Sequence, residues 1–281
     1  IKTMVSKYKL PVLSETPLAA APDAEELATV DANEFMKAAK NLIKIVSTDP
    51  STQEHQISCM HFNIKGEKIK LTATDSYALG SISIDSSAIN LEDEEGKDVL
   101  IRHTEVNTLI DNFSPGETLT IVSSDDMFGY IKENGTLSLV GVINMPPLDT
   151  SQIEAITKDD NTVVLDKNEL KTAIETVAKL SPHDETVSIE LTEDRNEVRV
   201  SNRYGDYIDV DSIESKLDSP GIASFATSVL LKSINPAHNG PLRLELGDLS
   251  DSSPGAARVV SLLADGSDDE ETSLLAIIME K

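Results

Sequence analysis

The sequence predicts a duplicated α+β protein: two successive domains, each with two helices laid on one face of a curved antiparallel sheet. A short segment recurs, VDANEFMK at residues 30–37 and LDKNELK at 165–171. Asp31, Asn33, Glu34 and Phe35 are matched by Asp166, Asn168, Glu169 and Leu170, with the two aspartates 135 positions apart. Each copy is followed by the same order of patterns: helix, strand hairpin with a polar turn, more strands, second helix, strands. A period of this length is far beyond that of a solenoid repeat, so the unit is a whole domain.

Composition agrees. The chain has 281 residues, room for two domains, and 39% hydrophobic content, enough for packed cores. Aromatics make up 4% and Trp is absent, so the cores are mostly aliphatic. Lys and Arg number 24 against 49 Asp and Glu, a net charge of −25. Such a chain does not gather nucleic acid through its overall field; only a local basic face does so, and the bulk of the charge serves solubility. The one cysteine, Cys59, rules out an intrachain disulfide or a CxxC site and fits a buried strand position. No apolar run approaches the ~20 residues that cross a bilayer.

In chain order, residues 1–10 pattern as a strand, and the Pro-, Ala- and acid-rich stretch after them as a linker. Asp31 is placed to cap a helix over 33–46, with Glu34 three residues on and Phe35, Ala39, Leu42, Ile43 and Val46 as its apolar stripe. Residues 57–80 read as a hairpin turning at Lys65-Gly66-Glu67. Strands follow at 81–87 and 99–102, then a helix over 103–113 and strands at 118–123, 128–132 and 137–143. Asn134-Gly135 marks the last hairpin turn. In the second copy the helices are expected at 168–180 and 227–234. Strands are expected at 186–191, 197–202, 242–246, 258–263 and 274–279.

The first hairpin carries Met60-His61-Phe62 and closes on Ala73-Thr74-Asp75. These pieces, with the duplication, resemble the bacterial DNA polymerase III β sliding clamp family. The resemblance extends over nearly the whole chain. It implies a duplicated DNA-clamp domain of the processivity fold. Residues 1–24 then read as the last strand of a missing first clamp domain plus a linker, 25–155 as the middle domain and 156–281 as the C-terminal one.

The family implies a cytoplasmic, non-enzymatic processivity factor that encircles duplex DNA without reading its sequence. It also implies polymerase and clamp-loader partners bound through short peptides, and ring closure as a homo-oligomer, a dimer when the first domain is present. The DNA-facing candidates are Lys37, Lys40, Lys44, Arg102, Lys167, Lys171 and Lys232, at helix positions pointing away from the sheet. The peptide pocket would be walled by Ile57, Thr74, Ser76, Tyr77, Ala78 and Leu79, by Pro146, Thr150 and Ser151, and by Leu275, Ile277, Ile278 and Met279. Two polar anchors differ: the family usually has Arg where Ala78 stands, and Met-Pro-x-Arg where Ile277 to Glu280 stand. The alternative expectation is a divergent clamp-fold scaffold that no longer encircles DNA.

Chemistry is sparse. There is no phosphate-binding glycine loop, the five histidines have no metal-ligand spacing, and the acidic pairs sit in turn patterns. The sequence therefore predicts no enzyme, no cofactor and no metal site. Asp75, before a turn, is expected to bond its own backbone.

Overall fold

Each half of the chain runs βαββββαβββ. The first half holds β1 (Glu25–Asp31), α1 (Ala32–Leu42), β2 (Cys59–Lys65), β3 (Lys68–Thr74), β4 (Ala78–Ala88), β5 (Lys97–Arg102), α2 (His103–Asp111), β6 (Thr118–Ser123), β7 (Met127–Lys132) and β8 (Leu137–Gly141). The second holds β9 (Asn161–Asp166), α3 (Lys167–Leu180), β10 (Thr186–Leu191), β11 (Glu197–Ser201), β12 (Tyr207–Leu217), β13 (Gly221–Ala226), α4 (Thr227–Ile234), β14 (Pro241–Leu246), β15 (Ala256–Ser261) and β16 (Thr272–Ile277). This computed structural model describes residues 24–52, 55–88, 96–112, 116–147, 149–150, 161–183, 185–191, 197–218, 221–237, 240–246, 256–261 and 272–277. The strand and linker expected before residue 24 lie outside them.

The two halves share one pairing scheme. Strand order is β5-β2-β3-β4-β1-β6-β7-β8 in the first and β13-β10-β11-β12-β9-β14-β15-β16 in the second, all antiparallel. β4 and β12 are the long strands. Each pairs with its hairpin partner over one part and with β1 or β9 over the other, joining two sheets through one backbone. The halves are themselves joined by a ladder, β16 on β4, running from Thr272↔Ile82 to Ala276↔Ala78.

The repeated Asp-x-Asn-Glu segment is a helix start. Asp31 Oδ1 accepts from the amides of Asn33 (2.8 Å) and Glu34 (3.0 Å). Asp166 Oδ1 accepts from those of Asn168 (2.8 Å) and Glu169 (3.1 Å). Each cap satisfies two of the amides that a helix N-terminus leaves orphaned.

The cores are built from alternating strand residues and one stripe per helix. In the first half Phe62 lies between Phe35 and Phe128, ring centroids 6.0 and 5.0 Å away. The second half is nearly all aliphatic, with Leu165, Leu170, Ile174, Val187, Ile189, Val200, Leu242 and Leu244 buried around Phe225.

Several boundaries differ from expectation. α1 ends at Leu42, and the chain then tightens into a turn with the Ile45 amide on Leu42 O, which still buries Ile45 and Val46. Ile57 sits in a 3-10 turn, because the Ser58 amide and hydroxyl both bond His55 O; the strand begins at Cys59. β8 stops at Gly141, after which Ile143 donates to Leu100 O on β5. β16 spans Thr272–Ile277, so Ile278 and Met279 lie outside the described residues.

Candidate functional site

At the junction between the halves, Thr74, Ser76, Tyr77, Ala78 and Leu79 of the expected set lie in and beside one loop, residues 75–78, next to β16 with Leu275 and Ile277. Thr74 Oγ1 donates to Ala78 O (2.8 Å) and accepts from the Ser76 amide (3.1 Å). Asp75 Oδ1 accepts from the amides of Tyr77 (3.0 Å) and Ala78 (2.8 Å), the backbone role its place before a turn predicted. Ser76 takes φ +80°, the one positive φ at a non-glycine residue described. Such a backbone costs a β-carbon-bearing residue about 1 kcal/mol or more, and it persists where surrounding bonds over-determine it.

The loop separates buried walls from an exposed tip. Thr74, Ala78 and Leu79 are buried, Ser76 is exposed, and Tyr77 is 62% exposed. Across the ladder Leu275 stands opposite Leu79 and Ala276 opposite Ala78, so β16 adds where the loop ends. Ile57 and Thr150 are half-buried and Pro146 is exposed. The turn holding Ile57 reaches the inter-domain segment through Gln56 Nε2, which donates to Pro146 O. Ile277 closes β16, paired with Ala256 on β15. Ser151, like Ile278 and Met279, lies outside the described residues.

The basic candidates divide into two groups. Lys37 and Lys40 are exposed on α1, opposite its buried face of Phe35, Met36, Ala39 and Leu42, and Lys44 is exposed in the turn that follows the helix. Lys171 on α3 is part-exposed and 3.8 Å from Glu175. The side chain of Asn41 donates to Pro236 O (3.2 Å), docking α1 of the first half on the end of α4 of the second. Burial, and then the positive charges of Lys171 and Lys44, lower the pKa of Lys167.

Of the other three candidates, Lys167 and Lys232 bond within the fold and Arg102 is half-buried. Lys167 is buried at 6% exposure, and its Nζ donates to Asn235 O (3.0 Å) and to Ala237 O, satisfying carbonyls at the end of α4. It is therefore withdrawn from the surface on which the sequence placed it. Arg102 is half-buried at the N-cap of α2. Lys232 donates to Asp75 Oδ2 across the junction.

A separate cavity of about 460 Å³ opens beside β5 and the β6–β7 turn, walled by His61, Asp98, Leu100, Asp125, Ile143 and Met145. Asp98 Oδ1 accepts from Asn63 Nδ2 and lies 2.7 Å from His61 Nε2. The outward alternation of His61 and Asn63 on β2 is the only sequence signal of this cavity. Among the described residues no group of His, Cys, Asp or Glu is arranged to hold a metal ion, and no helix is long and apolar enough to cross a membrane.

No protein-family model and no curated protein matches the chain. Solved structures do match. The DNA polymerase sliding clamp from Bacillus subtilis aligns with a TM-score of 0.79 at 13% identity, over 95% of this chain and 67% of that one. A DNA polymerase III β chain from Streptococcus pneumoniae aligns at 0.77 and 18%, over 95% and 68%. The DnaN sliding clamp from Pseudomonas aeruginosa, solved bound to griselimycin, aligns at 0.75 and 14%, over 97% and 68%. The chain thus has the sliding-clamp fold and spans about two thirds of the length of these clamps.

Proposed function

We propose that this chain is the working part of a DNA sliding clamp. It surrounds duplex DNA without reading sequence and tethers a polymerase through a short peptide seated at the repeat junction. The observation that carries the reading is the joint itself: two repeats of one topology, linked edge to edge by β16 on β4, with α1, α3 and α4 brought together beneath it. A further repeat added by the same rule extends the arc. β8 pairs only with β7, and residues 207–211 of β12 pair only with β11, among the described residues. These are the counterparts of the edges that β16 and β4 use on each other. Head-to-tail addition at β12 is how a ring would close.

Lys37, Lys40, Lys44 and Lys171 are the proposed phosphate contacts. They are few on a chain of net charge −25, which suits a ring that slides. Each contact adds weak, salt-sensitive attraction and none reads a base. The proposed clamp works as a cytoplasmic tether with polymerase and clamp loader as partners, and the role requires no catalytic residue or cofactor.

The test is fluorescence anisotropy with a labelled peptide of the Gln-Leu-x-Leu-Phe type, on the wild type and on Tyr77→Arg. Saturable micromolar binding, weakened by the variant, supports the tether. No binding up to about 1 mM, near −4 kcal/mol, removes it. A second reading, a clamp-fold scaffold that does not encircle DNA, is favoured by one observation: Ala78 stands buried where a polar anchor was expected. Retention on closed circular DNA with release on linearisation decides against that reading.

A further inference from the structure

The loop at residues 75–78 takes its shape from its own hydrogen bonds, but its position from the other half of the molecule. Asp75 divides its oxygens between the two tasks. Oδ1 takes the amides of Tyr77 and Ala78, and Oδ2 takes Lys232 Nζ, which comes from α4, 157 residues further along the chain. The Asp75 side chain is 10% exposed and that of Lys232 36%. At that exposure Asp75 is shielded from most competing water, so losing its cation leaves a carboxylate oxygen short of a partner. α4 packs against both β4 and β16, so Lys232 reaches the loop from an element fixed on both sides of the joint.

We propose that Lys232 is a positioning residue for the peptide pocket: it pins the 74–79 wall to the second repeat and is not part of the DNA-facing surface. The inference rests on the pocket reading above and deepens it. The pocket wall is complete only when the two repeats are docked, because its outer loop is anchored by a side chain of each. The ladder itself begins at Ala78, the last residue of the loop, so release of Lys232 loosens the turn and leaves the β4–β16 joint in place. Tyr77, at the exposed tip, is the residue whose position then varies.

Two substitutions remove the anchor from opposite ends. Lys232→Met deletes the cation. Asp75→Asn keeps an oxygen for the Tyr77 and Ala78 amides and deletes the charge. Lys232→Arg restores a cation. Three quantities are measured on the full chain: amide hydrogen exchange at Tyr77 and Ala78, anisotropy of the labelled peptide, and duplex DNA affinity beside a Lys44→Met control. Lys232→Met and Asp75→Asn are each expected to speed exchange at these amides and weaken the peptide about tenfold, with the double variant no worse than either. DNA affinity stays within about twofold for Lys232→Met and falls for Lys44→Met. Lys232→Arg recovers most of the peptide affinity.

Unchanged exchange in both variants overturns the proposal. So does a Lys232→Met chain that loses DNA affinity as Lys44→Met does while its peptide affinity stays intact. A wild type that takes no peptide removes the pocket reading. A wild type that takes it, with Lys232→Met unaltered, removes this proposal alone.

Discussion

β4 and β12 are the same strand in two repeats, and they meet opposite fates. The ladder pair Leu71↔Ile82 of the first repeat matches Val200↔Ile208 of the second, so Ser81 corresponds to Tyr207. On β4 the stretch is Ala78, Leu79, Gly80, Ser81 and Ile82, and β16 lies alongside it. Ser81 is 5% exposed, its hydroxyl 3.3 Å from that of Thr72. On β12, Tyr207 is 53% exposed, and the Arg199 guanidinium lies 4.0 Å over its ring while bonding Asp209. Topology is common to both; edge chemistry is not. The small residues Ala78, Gly80 and Ser81 let a strand and a helix close on β4, whereas aromatic and charged residues keep this part of β12 solvated.

Substitutions in one repeat against the other test this contrast. The largest effect is expected in the cores. Phe62→Ala removes the ring between Phe35 and Phe128 and should cost about 3–5 kcal/mol in urea unfolding. Ile189→Ala, at the matching position, should cost about 2–5 kcal/mol and sit below it in the same experiment. Equal losses would mean the aromatic cluster adds nothing beyond volume. Ser81→Tyr gives the first repeat the second repeat's residue. With its site buried, it should lower stability by about 1–3 kcal/mol and open the β4–β16 amides to exchange. An unaffected midpoint would show that the small-residue edge is incidental.

Asp31→Ala and Asp166→Ala should each cost about 1 kcal/mol, the same in both repeats because the caps share one geometry. A clear difference between them would break the equivalence. Tyr207→Ser, the reverse transplant, should leave monomer stability within about 0.5 kcal/mol. Its expected effect is on association, read as a changed dissociation point in light scattering on dilution.

The duplication was legible because its signal is local. An aspartate capping a helix depends on residues two and three positions away, and hairpins on adjacent alternation, so both halves announced themselves. β12 was hard to read for a physical reason: of its eleven residues only Val210 is buried, so hydrophobic periodicity is nearly absent. Asp75 was legible as a turn residue, since its acceptors' partners are neighbours. Its second partner was not, and neither was the burial of Lys167. A lysine just after an N-cap reads as solvent-facing until carbonyls some 70 residues away, at Asn235 and Ala237, are brought against it. The junction between the repeats is where sequence periodicity is silent, and that is where most of the candidate site lies.

The joining ladder also sets a schedule. Thr272 pairs with Ile82, 190 positions earlier, and the remaining pairs between β16 and β4 span even more chain. Contacts of such separation form late, because a long loop must close before they contribute. During synthesis the β4 edge therefore waits, complete on its β3 side and bare on the other, until the last described strand emerges. With Ala78, Gly80 and Ser81 small, the larger apolar side chains of this waiting edge are limited to Leu79 and Ile82. A nascent chain is thereby less prone to capture a stray strand in the interval.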